Sequence, residues 1–258
     1  MKVVIFAGGL GTRIAEESHL KPKPMIEIGE KPILWHLMKI YETQGFNDFI
    51  ICLGYKSYLI KEYFMNYFIH NSDVTIDLAT NSLTVHKNHS ENLKVTLIET
   101  GLNTKTAGRL KRVLPYLENQ PFMLTYGDGV SDINLKELLK FHNEQNKIVT
   151  VTAIQPIGKF GALAIDKNNQ VTVFKEKPKG DGFWINGGFF VVKPEVLKYL
   201  PENADDLMWE DYPLEQLAAD SQLAAFRHTG FWRCMDALRD KQELEQLWYS
   251  GNAKWKIW

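Results

Sequence analysis

The residue types best suited to chemistry stand near the start of the chain. Gly8, Gly9 and Gly11 lead into Thr12 and Arg13, and Lys23 follows ten residues later between Pro22 and Pro24. Glycines carry no Cβ, so a bulky anion can approach the backbone and several N–H groups can turn toward it. A threonine hydroxyl donates to a phosphate oxygen, and a guanidinium offers a permanently charged fork suited to two of them. The two prolines fix φ on either side of Lys23 and disfavour helix there, which makes a stiffened, positively charged arm. Binding of a polyphosphate is the chemistry this set suits. Two commoner glycine loops fail on residues. Nothing after Gly11 supplies the Gly-Lys-Ser/Thr of a P-loop, and Ile14 stands where a dinucleotide fingerprint needs glycine or alanine.

Further candidates lie downstream. Thr104-Lys105-Thr106-Ala107-Gly108-Arg109-Leu110-Lys111-Arg112 gathers hydroxyls, small residues and basic side chains at an expected helix start, where an anion or hydrogen-bond acceptor is favoured. Within it, Lys111 and Arg112 read as a solvated basic face. Asp128 sits between Gly127 and Gly129, after the apolar run Phe122-Met123-Leu124-Thr125-Tyr126. The carboxyl end of a parallel strand is where open α/β sheets place their ligands, although Asp-Gly is also an ordinary turn pair. His86 and His89 have no further Cys or His near them in sequence and read as exposed loop histidines rather than metal ligands.

GGLGTR followed by KPKPM resembles the signature of the sugar-phosphate nucleotidylyltransferases, and motifs similar to that family's recur from residue 6 to about 240. The resemblance implies a nucleotide site made of Phe6, Ala7, Gly8, Gly9, Leu10, Gly11, Thr12, Arg13, Lys23, Thr104, Arg109, Gly127 and Asp128. In it Arg13 and Lys23 are the catalytic cations, on the leaving pyrophosphate and on the α-phosphate. Asp128 and Asp236 are implied to hold Mg²⁺. Lys175-Glu176-Lys177-Pro178 matches the family's EKP motif, in which Glu176 takes sugar hydroxyls and Lys177 the sugar phosphate, and Gly161 and Asn186 match further sugar positions. The segments RLKRV, TYGDGVSD, EKPKGDGFWINGGFFV and GFWRCMDALRDK are most similar to members that use CTP and α-D-glucose 1-phosphate. The implied reaction is in-line attack of a sugar-phosphate oxygen on the α-phosphorus of CTP, with pyrophosphate leaving and no protein nucleophile.

Two departures stand out: Ala107 where a glycine is expected, and Arg233-Cys234 in place of a less polar pair. Neither removes a charged or metal-binding group. A uridylyl-, thymidylyl- or adenylyltransferase is the same-class alternative. A nucleotide-sugar-sensing subunit without catalysis is the other, and Arg13, Lys23, Asp128, Lys177 and Asp236 standing together speak against it.

The elements that must position these residues follow from periodicity. Val3-Val4-Ile5-Phe6-Ala7 reads as a strand covered on both faces. After it come a helix from Pro32 to Gly45, a strand from Phe49 to Leu53, and an aromatic-rich helix over 57–68, with Trp35, Tyr63, Phe64, Tyr67 and Phe68 read as core. Residues 71–93 break the rhythm with short alternating strands, an antiparallel extension, before a strand over 94–99. A helix over 135–144, a strand over 148–154, a hairpin across Lys167-Asn168-Asn169, helices from Pro194 and from about Met208, and a strand over 223–227 complete the expectation. The fold class is α/β: one Rossmann-like domain over 1–258 with a mixed, mostly parallel sheet flanked by helices, and a C-terminal helix and Trp-rich tail over 237–258.

Thirty basic against thirty-one acidic residues give a net charge of −1, which supplies no general attraction to nucleic acid or to an anionic membrane. Two cysteines make no disulfide framework, and Cys52 in an apolar run reads as core. With no signal-peptide layout and no apolar stretch long enough for a bilayer, a cytoplasmic protein is expected. The extension and the tail both look hard to bury in one domain, so a homo-oligomer is expected, and the family resemblance points to a closed assembly such as a hexamer.

Overall fold

The computed structural model describes residues 1–155, 162–175 and 183–258. In chain order it contains β1 (Lys2–Phe6), α1 (Ala15–Ser18), β2 (Glu27–Ile28), β3 (Lys31–Pro32), α2 (Ile33–Glu42), β4 (Asp48–Leu53), α3 (Ser57–His70), β5 (Ser72–Asp77), β6 (Ser82–Asn88) and β7 (Lys94–Glu99). Then follow α4 (Thr106–Val113), β8 (Phe122–Tyr126), β9 (Gly129–Ser131), α5 (Leu135–Gln145), β10 (Val149–Ile154), β11 (Ala162–Ile165), β12 (Val171–Lys175), β13 (Ile185–Asn186) and β14 (Phe190–Val192). The last are α6 (Tyr212–Ala219), β15 (Leu223–His228), β16 (Trp232–Cys234) and α7 (Leu238–Tyr249).

The main sheet runs β13-β10-β14-β8-β1-β4-β7, with β15 also paired to β10. β1 is parallel to β4 and to β8, β4 to β7, and β10 to β15; β14 is antiparallel to both β8 and β10. This is the expected mixed, mostly parallel Rossmann-like sheet. Because β1 is central, its side chains alternate between two apolar layers. Val3 and Ile5 join Ile33, Leu37, Ile40 and Tyr41 of α2 on one face, and Val4 and Phe6 join Ala107, Leu110 and Val113 of α4 on the other. The strand reading came from the same pattern, an unbroken apolar run too short for a helix.

Several expectations change. Of α3 only Ile60 is fully buried, and Phe68 is exposed, since the β5–β6 hairpin that follows is itself exposed and leaves those aromatics partly uncovered. Trp35, Tyr63, Phe64 and Tyr67 are half-buried on this ledge, where Tyr67 and Trp35 both donate to Glu91. The hairpin itself is as expected, Val74 facing Val85 and Ile76 facing Leu83, and every residue of β6 is exposed. The segment from Pro194 forms a single 3₁₀ stretch, and the next helix begins at Tyr212 rather than near Met208.

The tail is the larger correction. It needs no second subunit to cover it: Trp255 is 1% exposed, and Trp248, Trp255 and Trp258 surround the buried His36 of α2. The His36 Nε2 bonds to the Ile28 carbonyl at 2.7 Å and its Nδ1 receives the Trp255 indole N–H at 3.4 Å. Among the described residues, no helix is long and apolar enough to cross a membrane.

Candidate active site

The carboxyl ends of β1 and β8 face one cavity of about 500 Å³. The chain leaves β1 still bonded to its neighbours, Ala7 N–H to the Cys52 carbonyl at 3.1 Å and Gly127 N–H to the Phe6 carbonyl at 2.9 Å. The glycine loop from Gly8 to Gly11 then bends over the cavity. At Gly8 a Cβ would lie 2.1 Å from an Arg109 nitrogen, so a larger residue would have to displace that guanidinium. Gly11 takes a left-handed φ of +66°, which reverses the chain into Thr12-Arg13-Ile14.

Lys23 stands on one 3₁₀ turn whose Pro24 and Met25 are buried, which fixes the arm's base. Its Nζ is 2.6 Å from Asp128 Oδ2 and 2.6 Å from Asp236 Oδ1. The Arg13 guanidinium donates to the other oxygen of Asp236 at 2.8 Å. Burial pulls the Lys23 ammonium down, but the two carboxylates outweigh it and hold its pKa above the usual lysine value. Burial likewise pushes Asp236 up, and Lys23 and Arg13 outweigh that and hold it below the usual carboxylate value. Lys23 and Asp236 are therefore both charged near neutral pH.

What joins Asp128 to Asp236 across the sequence is a small ribbon. β9 pairs with β16, Gly129 facing Cys234, and the Met235 N–H donates to the Asp128 carbonyl at 2.9 Å. Asp240, in the first turn of α7, accepts the N–H groups of Asp236 and Ala237 at 2.9 and 2.8 Å and fixes the approach to that carboxylate. Cys234 Sγ lies 3.8 Å from Asp236 Oδ2, and burial with the nearby carboxylates pushes this thiol up to about 12, so it stays neutral.

Among the described residues no three His, Cys, Asp or Glu side chains gather into a metal-binding set. The two carboxylates converge on the Lys23 ammonium, and as hard oxygen donors they fit a cation such as Mg²⁺ that takes its remaining oxygens from water and from a substrate's phosphates.

Thr104 lines the cavity. Arg109 lines it as well, but its guanidinium is already engaged. Its terminal nitrogens donate to the carbonyls of Leu53 (2.8 Å), Gly8 (2.9 Å) and Leu102 (3.3 Å) and to Thr100 Oγ1 (2.7 Å). It ties the glycine loop to the 100–102 loop. Lys111 and Arg112, expected on a solvated face, instead tether α4 to the Pro201 carbonyl and to the Thr100 carbonyl and Asp205.

In β13, the Asn186 amide donates to Tyr126 Oη at 3.1 Å and its carbonyl oxygen accepts the Gly188 N–H at 2.8 Å. Gly161, Glu176 and Lys177 lie outside the described residues. Sequence reasoning missed Tyr126 as a cavity residue and missed Glu210 altogether. Glu210 follows Trp209, whose buried ring belongs to the core, and nothing local sets that glutamate apart from the other acids between 202 and 215.

A model of the nucleotidyl transferase family matches residues 2–240. Glucose-1-phosphate cytidylyltransferase of Salmonella typhimurium is 54% identical over 259 residues, covering 100% of both chains. The probable glucose-1-phosphate cytidylyltransferase of Bacillus subtilis is 43% identical over 258 residues, again covering 100% of both. The crystal structure of HddC from Yersinia pseudotuberculosis is similar with a TM-score of 0.68 at 25% identity, over 96% of this chain and 99% of that one.

Proposed function

The chain belongs to the nucleotidyl transferase family, and we propose that it transfers the cytidylyl group of CTP to α-D-glucose 1-phosphate, giving CDP-glucose and pyrophosphate. The observation that carries this reading is end-to-end similarity to glucose-1-phosphate cytidylyltransferases, at 54% identity, in a chain whose cavity mouth holds Arg13, Lys23, Asp128 and Asp236 in mutual contact.

A sugar-phosphate oxygen is already a competent attacker, so the protein's part is positioning and neutralisation of charge. The loop N–H groups from Gly8 to Gly11 and the Thr12 hydroxyl receive the triphosphate. Arg13, whose side chain is 78% exposed, turns from Asp236 to the leaving β- and γ-phosphates. Lys23, on its fixed base, meets the α-phosphate as negative charge gathers on it. Asp128 and Asp236 are the residues that would hold Mg²⁺, which when bound supplies neutralisation of the phosphate oxygens. Arg109 keeps the Gly8 and Leu102 carbonyls in place, so its part in nucleotide binding is the shape of the loop that meets the nucleoside. Asn186, with Gly161, Glu176 and Lys177, takes the sugar phosphate.

The enzyme is a single domain over 1–258 carrying the 71–93 extension and the 237–258 tail. It works in the cytoplasm, where CTP is available, and as a homo-oligomer in which the exposed hairpin is the contact element. Incubation with CTP, glucose 1-phosphate and Mg²⁺ should yield CDP-glucose and pyrophosphate in equal amounts, followed by chromatography. Nucleotide binding without any turnover would instead favour the sensing subunit.

A further inference from the structure

Apart from Asp128, Glu210 is the acidic side chain that lines the cavity among the described residues. It is held there by two hydroxyls: Tyr126 Oη donates to its Oε1, and Thr106 Oγ1 donates to its Oε2 at 2.9 Å. The backbone beneath it is fixed too. The Trp209 N–H donates to Thr106 Oγ1 at 2.7 Å, and the Ala107 N–H to the Leu207 carbonyl at 3.1 Å, so the 207–210 segment lies along the start of α4. The carboxylate is thus oriented without being used up. Each of its oxygens has accepted one hydrogen bond here and keeps a further lone pair.

An ionised carboxylate is an acceptor only, and it would repel a triphosphate. What it can take is a ligand's O–H or N–H. Its partner Tyr126 immediately precedes Gly127-Asp128, and the same Tyr126 hydroxyl accepts the Asn186 amide at 3.1 Å. Glu210 therefore belongs to one hydrogen-bonded network with Asn186, joined through the Tyr126 hydroxyl at the end of β8. A hexose offers a ring of O–H donors, and a carboxylate pinned on both oxygens can accept two of them at a set spacing.

We propose that Glu210 is a specificity-determining residue that accepts hydrogen bonds from ring hydroxyls of the sugar 1-phosphate, with Tyr126 and Thr106 orienting it. This rests on the transferase reading above. Replacement of the charged acceptor weakens the hexose far more than the nucleotide, because its hydrogen-bond network runs through Tyr126 to Asn186.

Steady-state kinetics of wild type and Glu210→Gln, with glucose 1-phosphate and its 2-, 3-, 4- and 6-deoxy analogues, tests this. Wild type should disfavour at least one deoxy analogue strongly. Glu210→Gln should raise KM for glucose 1-phosphate at least about tenfold, leave KM for CTP within about twofold, and lose discrimination against that same analogue. Equal losses for both substrates, a changed preference among nucleoside triphosphates, or unchanged kinetics would each overturn the assignment. Should Glu210→Gln fail to fold, Glu210→Asp, with its carboxylate withdrawn by one methylene, must show the same sugar-only weakening. Absence of CDP-glucose synthesis by wild type would sink the transferase reading by itself; calorimetric titration of glucose 1-phosphate into wild type and variant would still decide the role of Glu210, with equal affinities counting against it.

Discussion

Lys23 shows what a side chain can do once its neighbours are known. The sequence reading marked it by the prolines around it, and the structure puts its ammonium midway between two carboxylates 108 positions apart, Asp128 and Asp236. Removing either carboxylate should be costly in catalysis. Asp128→Asn and Asp236→Asn are each expected to lower turnover at least about a hundredfold at saturating Mg²⁺, a loss of a few kcal/mol in the transition state, and near-normal turnover by both would rule out their role. Lys23→Met should lower kcat by a similar order without abolishing CTP binding, read by single-turnover kinetics, because the lysine acts where charge develops. Arg13, Lys23, Asp128 and Asp236 stand in local motifs that the sequence displays, and the structure brings their side chains together. Glu210 was not legible, since its meaning comes from Tyr126 and Thr106, 84 and 104 positions away. Arg109 was singled out, but the four acceptors that occupy it are invisible until the loops are folded.

At the scale of elements, β1, α2, β4, β8 and α5 were readable because apolar period and length agree with their burial. The Trp-rich tail was misread for want of its partner. Its cover is α2, with His36 lying 219 positions before Trp255. That packing has a measurable weight: Trp255→Ala should destabilise the protein by about 3–5 kcal/mol, seen as a lower urea midpoint with an unchanged slope. It also carries a pH signature. Burial pulls the His36 imidazole down to about 4, and burial together with Lys193 does the same for His142, whose Nδ1 meets Thr150 Oγ1 at 2.8 Å. Both are neutral when folded, while in the unfolded chain each takes up a proton near pH 6.5. The unfolded state therefore binds more protons between about pH 6.5 and 4, and the stability these two sites contribute is full above that window and falls through it. Urea midpoints should drop from pH 7 to pH 5, on the order of 2–4 kcal/mol for the pair, and His142→Gln should flatten the dependence. A stability independent of pH over this range would contradict the burial of neutral imidazoles.

For the whole molecule, the hairpin of β5 and β6 is what the chain does not cover. Ile76, Leu83 and Val85 are exposed on a two-stranded ribbon of a kind that is marginal alone in water. Light scattering at micromolar concentration is expected to give a multiple of the 29.7 kDa chain mass, and Ile76→Glu with Leu83→Glu should reduce it; a monomer mass for wild type would remove the hairpin's assigned role. The sheet, the cavity at its strand ends and the cationic loop together make a site for one nucleoside triphosphate and one sugar phosphate, and the choice of nucleotide is its central claim. Cytosine presents a 4-amino donor and an N3 acceptor where uracil presents an O4 acceptor and an N3–H donor, so a site paired to one leaves polar groups unmatched by the other, at about 1–3 kcal/mol each. The most direct measurement is pyrophosphate release with glucose 1-phosphate, Mg²⁺ and each of CTP, UTP, dTTP and ATP in turn. CTP should exceed every other nucleotide at least about tenfold in kcat/KM, and a higher value for UTP, dTTP or ATP would contradict the cytidylyl assignment.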